Sequence, residues 1–191
     1  TIVNAVAILL GGAIGLLLKK GIPERVSSGI MQGLGLVVIY IGISGMLKGQ
    51  NALIATISIV IGGAIGMILD FDGRFNRFVG GLEQKLASKS DNGSKFSEAF
   101  ITTTLLYCVG AMAVVGSLNS GISGDHKVLF TKSILDGVSA IVFASTLGAG
   151  VLLSAIPLFL YQGSITLLAQ GLAPVRSTAA VAEMTWVGSL L

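Results

Sequence analysis

Charge is what this sequence has least of. Only 11% of its 191 residues are Asp, Glu, Lys or Arg, against about 25% in an ordinary soluble domain. The few charges cluster between long neutral runs, and the mean hydropathy is +0.90. A water-exposed surface cannot be covered this way, so a soluble globule is excluded and an integral membrane protein expected. Histidine and cysteine each occur once, as His126 and Cys108. A lone cysteine forms no intrachain disulfide, and in an apolar run it reads as a small packing residue. One histidine, in a polar loop beside Asp125, gives no metal cluster and little general acid–base chemistry. G-x-S-x-G, H-E-x-x-H and Cys/His clusters are all missing, so no enzyme, cofactor or metal centre is expected. The net charge of +3 is small, and no Lys/Arg stripe interleaved with aromatics marks a nucleic-acid partner.

What the sequence has is apolar length. Runs of about 17–25 residues match a hydrocarbon core of about 30 Å. Thr1–Leu18, Val26–Leu47, Ala52–Leu69 and Phe100–Leu118 fit this length. The stretch from Ser133 to Ala173 has one charge, Asp136, and room for two spans. "SAIP" at Ser154–Pro157 reads as a helix start and divides it into Ser133–Leu153 and Ala155–Leu172. A seventh run from Thr178 to Leu191 is too short to cross, so a longer native chain is expected. No signal-peptide pattern precedes the first run, which reads as a retained span. The expected fold is an all-α polytopic transmembrane bundle of about seven spans forming one domain over 1–191, its C-terminal helices at 133–191.

Loop charges set an expected orientation. With the N-terminus outside, Lys19, Lys20, Arg25, Arg74, Arg77, Lys85, Lys89 and Lys95 fall in cytoplasmic loops, and Lys48, Lys127, Lys132 and Arg176 outside. In the third loop, Phe75, Phe78, Val79, Leu82 and Leu86 recur at helical spacing. This suits either an interfacial amphipathic insertion near 74–98 or an extension of the third helix. Asp70-Phe71-Asp72-Gly73 lacks the later ligands of a calcium loop and marks the membrane boundary.

"GGAIG" occurs at 11–15 and again at 62–66, an offset of 51 residues. "YIGISGML" at 40–47 aligns loosely with "CVGAMAVV" at 108–115, an offset of 68, and the difference of 17 is about the length of the polar insertion. Two repeat units, 1–47 and 52–118, are therefore expected, related about an axis along the membrane normal. GGAIG lacks the order of a dinucleotide or P-loop motif. Gly11/Gly15 and Gly62/Gly66 are G-x-x-x-G pairs suited to close helix packing, with lining of a narrow path as the alternative. Ser145 to Gly150 is the best place for a kinked or unwound helix.

Charges inside apolar runs are functional candidates by default. Asp136 and Glu183 each fall about one turn into an expected span, with Asn4 at similar depth and Ser139 one turn below Asp136. Together they could form a substrate or cation/proton site. The competing reading is structural: a first-turn carboxylate is stabilised by the helix dipole, and Asn is an ordinary interhelical hydrogen-bonding residue. Gln32, Thr103, Thr104, Ser145, Thr146 and Gln162 are weaker path-lining candidates.

"TIVNAVAILLGGAIGLLLKKGIPE", "LDGVSAIVFASTLGAGVLLSAIPLFLYQGSI" and "EMTWVGSLL" resemble the bacterial inner-membrane family known as domain of unknown function 554, over essentially the whole chain. The resemblance implies a small polytopic bacterial membrane protein, commonly listed as a candidate transporter, with acidic positions at Asp136 and Glu183 and no assigned activity. Two readings are carried forward. One is a small-solute or ion transporter or channel. The other is a membrane scaffold that binds partners or homo-oligomerises through its glycine faces.

Overall fold

A computed structural model describes residues 1–18, 22–47, 52–70, 73–74, 77, 81, 93–172 and 178–190. Among these residues the regular structure is entirely helical. The helices are α1 (Ile2–Leu17), α2 (Glu24–Met46), α3 (Ala52–Leu69), α4 (Gly93–Val109), α5 (Ala111–Ser123), α6 (Lys127–Leu147), the short α7 (Gly150–Leu153), α8 (Ala155–Leu172) and α9 (Thr178–Leu190). The amphipathic stripe of the third loop lies outside the described residues.

The seven apolar runs do not become seven helices of spanning length. Among the described residues, α2, α6 and the α7–α8 segment are long and apolar enough to cross a membrane. A fourth candidate arises if the bent pair α4–α5 counts as one. Its two parts meet at Gly110 at an angle of 54°, so the expected straight span Phe100–Leu118 is broken in its middle. The division of the next stretch also differs from expectation. α6 begins at Lys127 and ends at Leu147, and the break falls at Gly148-Ala149 rather than at Ser154. Gly148 has φ 96° and ψ −158°, a backbone state essentially restricted to glycine. The kink expected between Ser145 and Gly150 is thus present and lies at Gly148.

The core forms where α1, α4, α6, α7 and α8 converge. Ile8, Ala99, Tyr107, Cys108, Ala140, Ala144, Val151, Ala155 and Leu158 make one buried cluster. Most of these side chains are small, so backbones must come close for the interior to fill. α1 shows how the sequence achieves this. Asn4, Ile8, Gly11, Gly12 and Gly15 are its buried residues and lie along one face. A Cβ on Gly11 would fall on the carbonyl oxygen of Gly137, and one on Gly15 on that of Ile141. Gly121 of α5 lies similarly against the Thr166 carbonyl of α8. Glycine thereby sets the spacing of two helix pairs around the core.

The second GGAIG has different surroundings. Among the described residues nothing lies within 4 Å of a Cβ built on Gly62, Gly63 or Gly66. Leu53, Val60, Met67 and Ile68 of α3 are well exposed, and α2 has no buried residue. Gly42 lies inside α2, whereas its proposed counterpart Gly110 is the break between α4 and α5. The structure therefore does not show the two units as equivalent. α9 packs against α2, α3 and α5 at the periphery.

Two outcomes follow. Gly15→Val should lower stability in detergent by about 1–3 kcal/mol or more through overpacking, while Gly62→Val should stay within about 0.5 kcal/mol; denaturant titration of the two purified variants compares them. Gly148→Ala should cost about 1–3 kcal/mol from backbone strain alone, read by the same titration.

Candidate functional site

The lower face of α1 and the middle of α6 meet at a buried polar cluster. Asp136 stands nine residues beyond Lys127, the first residue of α6, about 13 Å along the axis at 1.5 Å per residue. That is near the middle of a 21-residue helix. The first-turn position expected from the sequence is therefore corrected, and helix-dipole stabilisation at the headgroups no longer accounts for this carboxylate. The error came from Lys132, placed in an outer loop on the assumption that a lysine ends a span. Lys132 is instead 5% exposed inside α6. Its Nζ donates to Asp136 Oδ1 at 2.8 Å and to Oδ2 at 2.6 Å. The two residues are four apart on one helix face, and as a pair they are formally neutral.

Other helices complete the cluster. Asn4 of α1, fully buried, donates through Nδ2 to Asp136 Oδ2 at 2.9 Å and reaches Gln162 Oε1 of α8 at 3.4 Å. Ser139 Oγ donates to the Asp136 carbonyl at 2.9 Å and lies 3.4 Å from the hydroxyl of Tyr107 on α4. The Lys132 ammonium is 6.0 Å from the Tyr107 ring centroid, within reach of a cation–π attraction. Four helices thus supply one connected set of polar side chains. Among the described residues, two atoms in it have no partner: Asn4 Oδ1, an acceptor, and Gln162 Nε2, a donor. Each unpaired buried polar group costs about 1–3 kcal/mol, so a native site retains such groups only for a reason.

Of the four sequence candidates, the structure brings Asn4, Asp136 and Ser139 together. Glu183 is on α9, partly buried, with Oε2 lacking a hydrogen-bond partner, and its helix packs against α2, α3 and α5. Nearby on the α5–α9 contact, Asn119 Nδ2 donates to Thr185 Oγ1 at 2.8 Å. The sequence pattern alone does not mark Lys132 or Tyr107 as site residues, and it offers Gln162 only as a weaker path-lining candidate. The i, i+4 spacing of Lys132 and Asp136 was the available signal, since such a pair enters an apolar helix with no net charge. Thr103, Ser145 and Thr146 bond carbonyls of their own helices, the ordinary behaviour of these residues. His126 lies just before α6, its Nδ1 2.9 Å from Ser120 Oγ. Asp70 accepts from Arg77 at 3.0 Å and from the Gly73 amide at 3.2 Å, so it closes a helix end. No group of three metal-ligating side chains occurs among the described residues.

Over residues 1–191 the sequence matches the family described as protein of unknown function (DUF554). The chain belongs to that family. It is 33% identical to the uncharacterized membrane protein YdfK of Bacillus subtilis, covering 100% of this chain and 81% of that protein. It is 30% identical to the uncharacterized protein YqgA of Escherichia coli, covering 99% of this chain and 81% of that one. No solved structure matches it. The family membership, the relative named as a membrane protein and the apolar helices together make this a helical membrane protein.

Removing one partner of a buried pair leaves the other charge uncompensated, at about 3–5 kcal/mol, while removing both is far milder. Lys132→Met should therefore destabilise the protein by that amount, and Lys132→Met/Asp136→Asn should regain most of the loss. Unfolding midpoints in one detergent test this, and a double variant as unstable as the single would contradict it.

Proposed function

We propose that the protein is a non-enzymatic transporter or channel for a small solute or ion, with its working site at Asp136, Asn4 and Ser139. The observation that supports this most is the charged cluster placed at mid-helix by α1, α4, α6 and α8, where structure alone would be better served by apolar packing. Ionisable groups at such depth are the usual mark of a substrate or ion pathway. Two helix breaks occur in the helices that carry the cluster. Gly110 is three residues from Tyr107, and Gly148 ends the helix that carries Lys132 and Asp136. Discontinuous helices beside a polar site are a recurrent arrangement in secondary transporters. Glu183 enters the proposal as a second carboxylate on a separate helix. The proposed setting is the bacterial inner membrane with the N-terminus outside. Placing Lys132 within α6 strengthens the Lys/Arg bias behind that orientation.

A specific observation supports a second reading. Among the described residues nothing packs on the face of α3 bearing Gly62 and Gly66, and that helix is apolar, as a helix awaiting a partner helix would be. A homo-oligomeric scaffold would use that face whether or not anything is transported.

Flux separates the two. Purified protein in liposomes should move at least one member of a panel of inorganic ions and small organic solutes. Lys132→Met/Asp136→Asn should abolish that flux, and Glu183→Gln should reduce it if the second carboxylate takes part. No flux across the panel, with Gly62→Val dissociating an oligomer, would favour the scaffold.

A further inference from the structure

The geometry points to a small zwitterion, an ammonium and a carboxylate held a few ångströms apart as in an α-amino acid, as the ligand of the Lys132–Asp136 cluster. This rests on the transporter reading and names its substrate class.

Charge balance carries the first step. Lys132 and Asp136 neutralise each other at 2.6 Å, deep in a low-dielectric interior. A lone cation that displaced the ammonium would leave Lys132 uncompensated, and a lone anion would leave Asp136 so. Either leaves a buried charge without its partner, the expensive case. A neutral solute would exchange an ion pair for weaker hydrogen bonds. A zwitterion alone converts one ion pair into two: its ammonium replaces that of Lys132 against Asp136, and its carboxylate takes the Lys132 ammonium. No proton need move and the net charge of the site is unchanged. The site already holds an alkylammonium head, that of Lys132, so it is shaped for that group. Lys132 has a flexible four-carbon stem and can swing aside, while the short Asp136 side chain stays in place.

The unpaired atoms carry the second step. Asn4 Oδ1 is a fully buried acceptor and belongs to the amide that bonds Asp136; Gln162 Nε2 is a fully buried donor. An ammonium bound at Asp136 supplies the donor that Asn4 Oδ1 lacks. A carboxylate drawn to Lys132 supplies the acceptor that Gln162 Nε2 lacks. The two orphans thus have opposite hydrogen-bonding sense, as the two ends of a zwitterion require. Each is held in place by the same Asn4–Gln162 contact.

The test is equilibrium binding of radiolabelled glycine and L-alanine to the purified full-length chain in detergent, with methylamine and acetate as the two half-ligands. The wild type should bind at least one amino acid, and both half-ligands about thirtyfold or more weakly, since each lacks one charge-assisted contact. Lys132→Met/Asp136→Asn, neutral and free of a lone buried charge, should lose binding. The exchanged pair Lys132→Asp/Asp136→Lys keeps neutrality, puts the charges in the helix-favoured order of acid before base, and should bind within about tenfold of the wild type by accepting the ligand reversed. Asn4→Ala and Gln162→Ala should each weaken binding without changing the preference for zwitterions. Undiminished binding in the neutral double variant would overturn the inference, as would half-ligands binding as tightly as glycine, or no amino-acid binding by folded wild type. Flux of some other solute alongside absent amino-acid binding would sink this inference and leave transport standing. Amino-acid binding with no flux would do the reverse.

Discussion

A carboxylate halfway along a membrane helix has to be neutralised where it stands, and much of this fold follows from how that is done. Asp136 takes its countercharge from the same helix, one turn earlier, so α6 enters the bundle as an electrically neutral rod. That solves the charge and leaves hydrogen-bonding capacity to be met from outside. Asn4 meets part of it, which requires α1 to lie close to α6. The glycines of α1 make that approach feasible, because Gly11 and Gly15 lie against the carbonyls of Gly137 and Ile141. Asn4, Gly11 and Gly15 share one face of α1, so a single helix face supplies both the close packing and the hydrogen bond. A side chain at Gly11 or Gly15 would push the helices apart and draw Asn4 away from Asp136. Packing and site are one constraint here.

The periphery obeys a different rule. α2 and α3 present Leu36, Ile39, Tyr40, Val60, Met67 and Ile68 outward, where lipid tails satisfy apolar side chains as well as a protein neighbour would. Burial by the chain itself is then unnecessary, and sequence cannot tell a lipid-facing glycine from a packed one. The two GGAIG segments demonstrate it. The residues are identical, yet one lies against α6 and the other faces open space. Local motif chemistry permits close approach without specifying a partner.

Part of the architecture was legible from composition and run length: an all-helical membrane protein with a break near Gly148. The sequence places Asn4 and Glu183 level with Asp136, and Ser139 one turn below it; Asn4 and Ser139 do meet Asp136, whereas Glu183 lies on α9, which packs against α2, α3 and α5. The boundaries were less so, for a physical reason. Lys132 reads as a span terminator only when its charge is counted alone. Counted with Asp136 at i+4 it is half of a neutral pair, and α6 extends six residues further towards its N-terminus than Ser133. Moving that boundary carried Asp136 from the headgroups to the middle of the helix, which changes what the residue can do. Tyr107 was not legible as a site member and Gln162 only as a weaker path-lining candidate, since each is one of several polar residues in an apolar run and only the convergence of α4 and α8 on α6 brings them in. The bend at Gly110 was equally hidden, because a glycine among 27 carries little signal by itself.

The breaks bear on why a pair so well enclosed is suited to function at all. Lys132 and Asp136 are 5% and 6% exposed, so nothing exchanges with them unless helices move. A continuous α6–α8 rod would resist such motion along its whole length. The helix path is interrupted at Gly148, between α6 and α7, and bends by 54° at Gly110, between α4 and α5. α8 brings Gln162, α4 brings Tyr107, and both adjoin a break; Asn4 sits on the uninterrupted, glycine-packed α1. The cluster is therefore divided between α6, which holds the charges with Asn4 of α1 bonded to them, and α4 and α8, which bring Tyr107 and Gln162. Separating α1 from α6 would have to pull apart the close approaches of Gly11 and Gly15 to the Gly137 and Ile141 carbonyls.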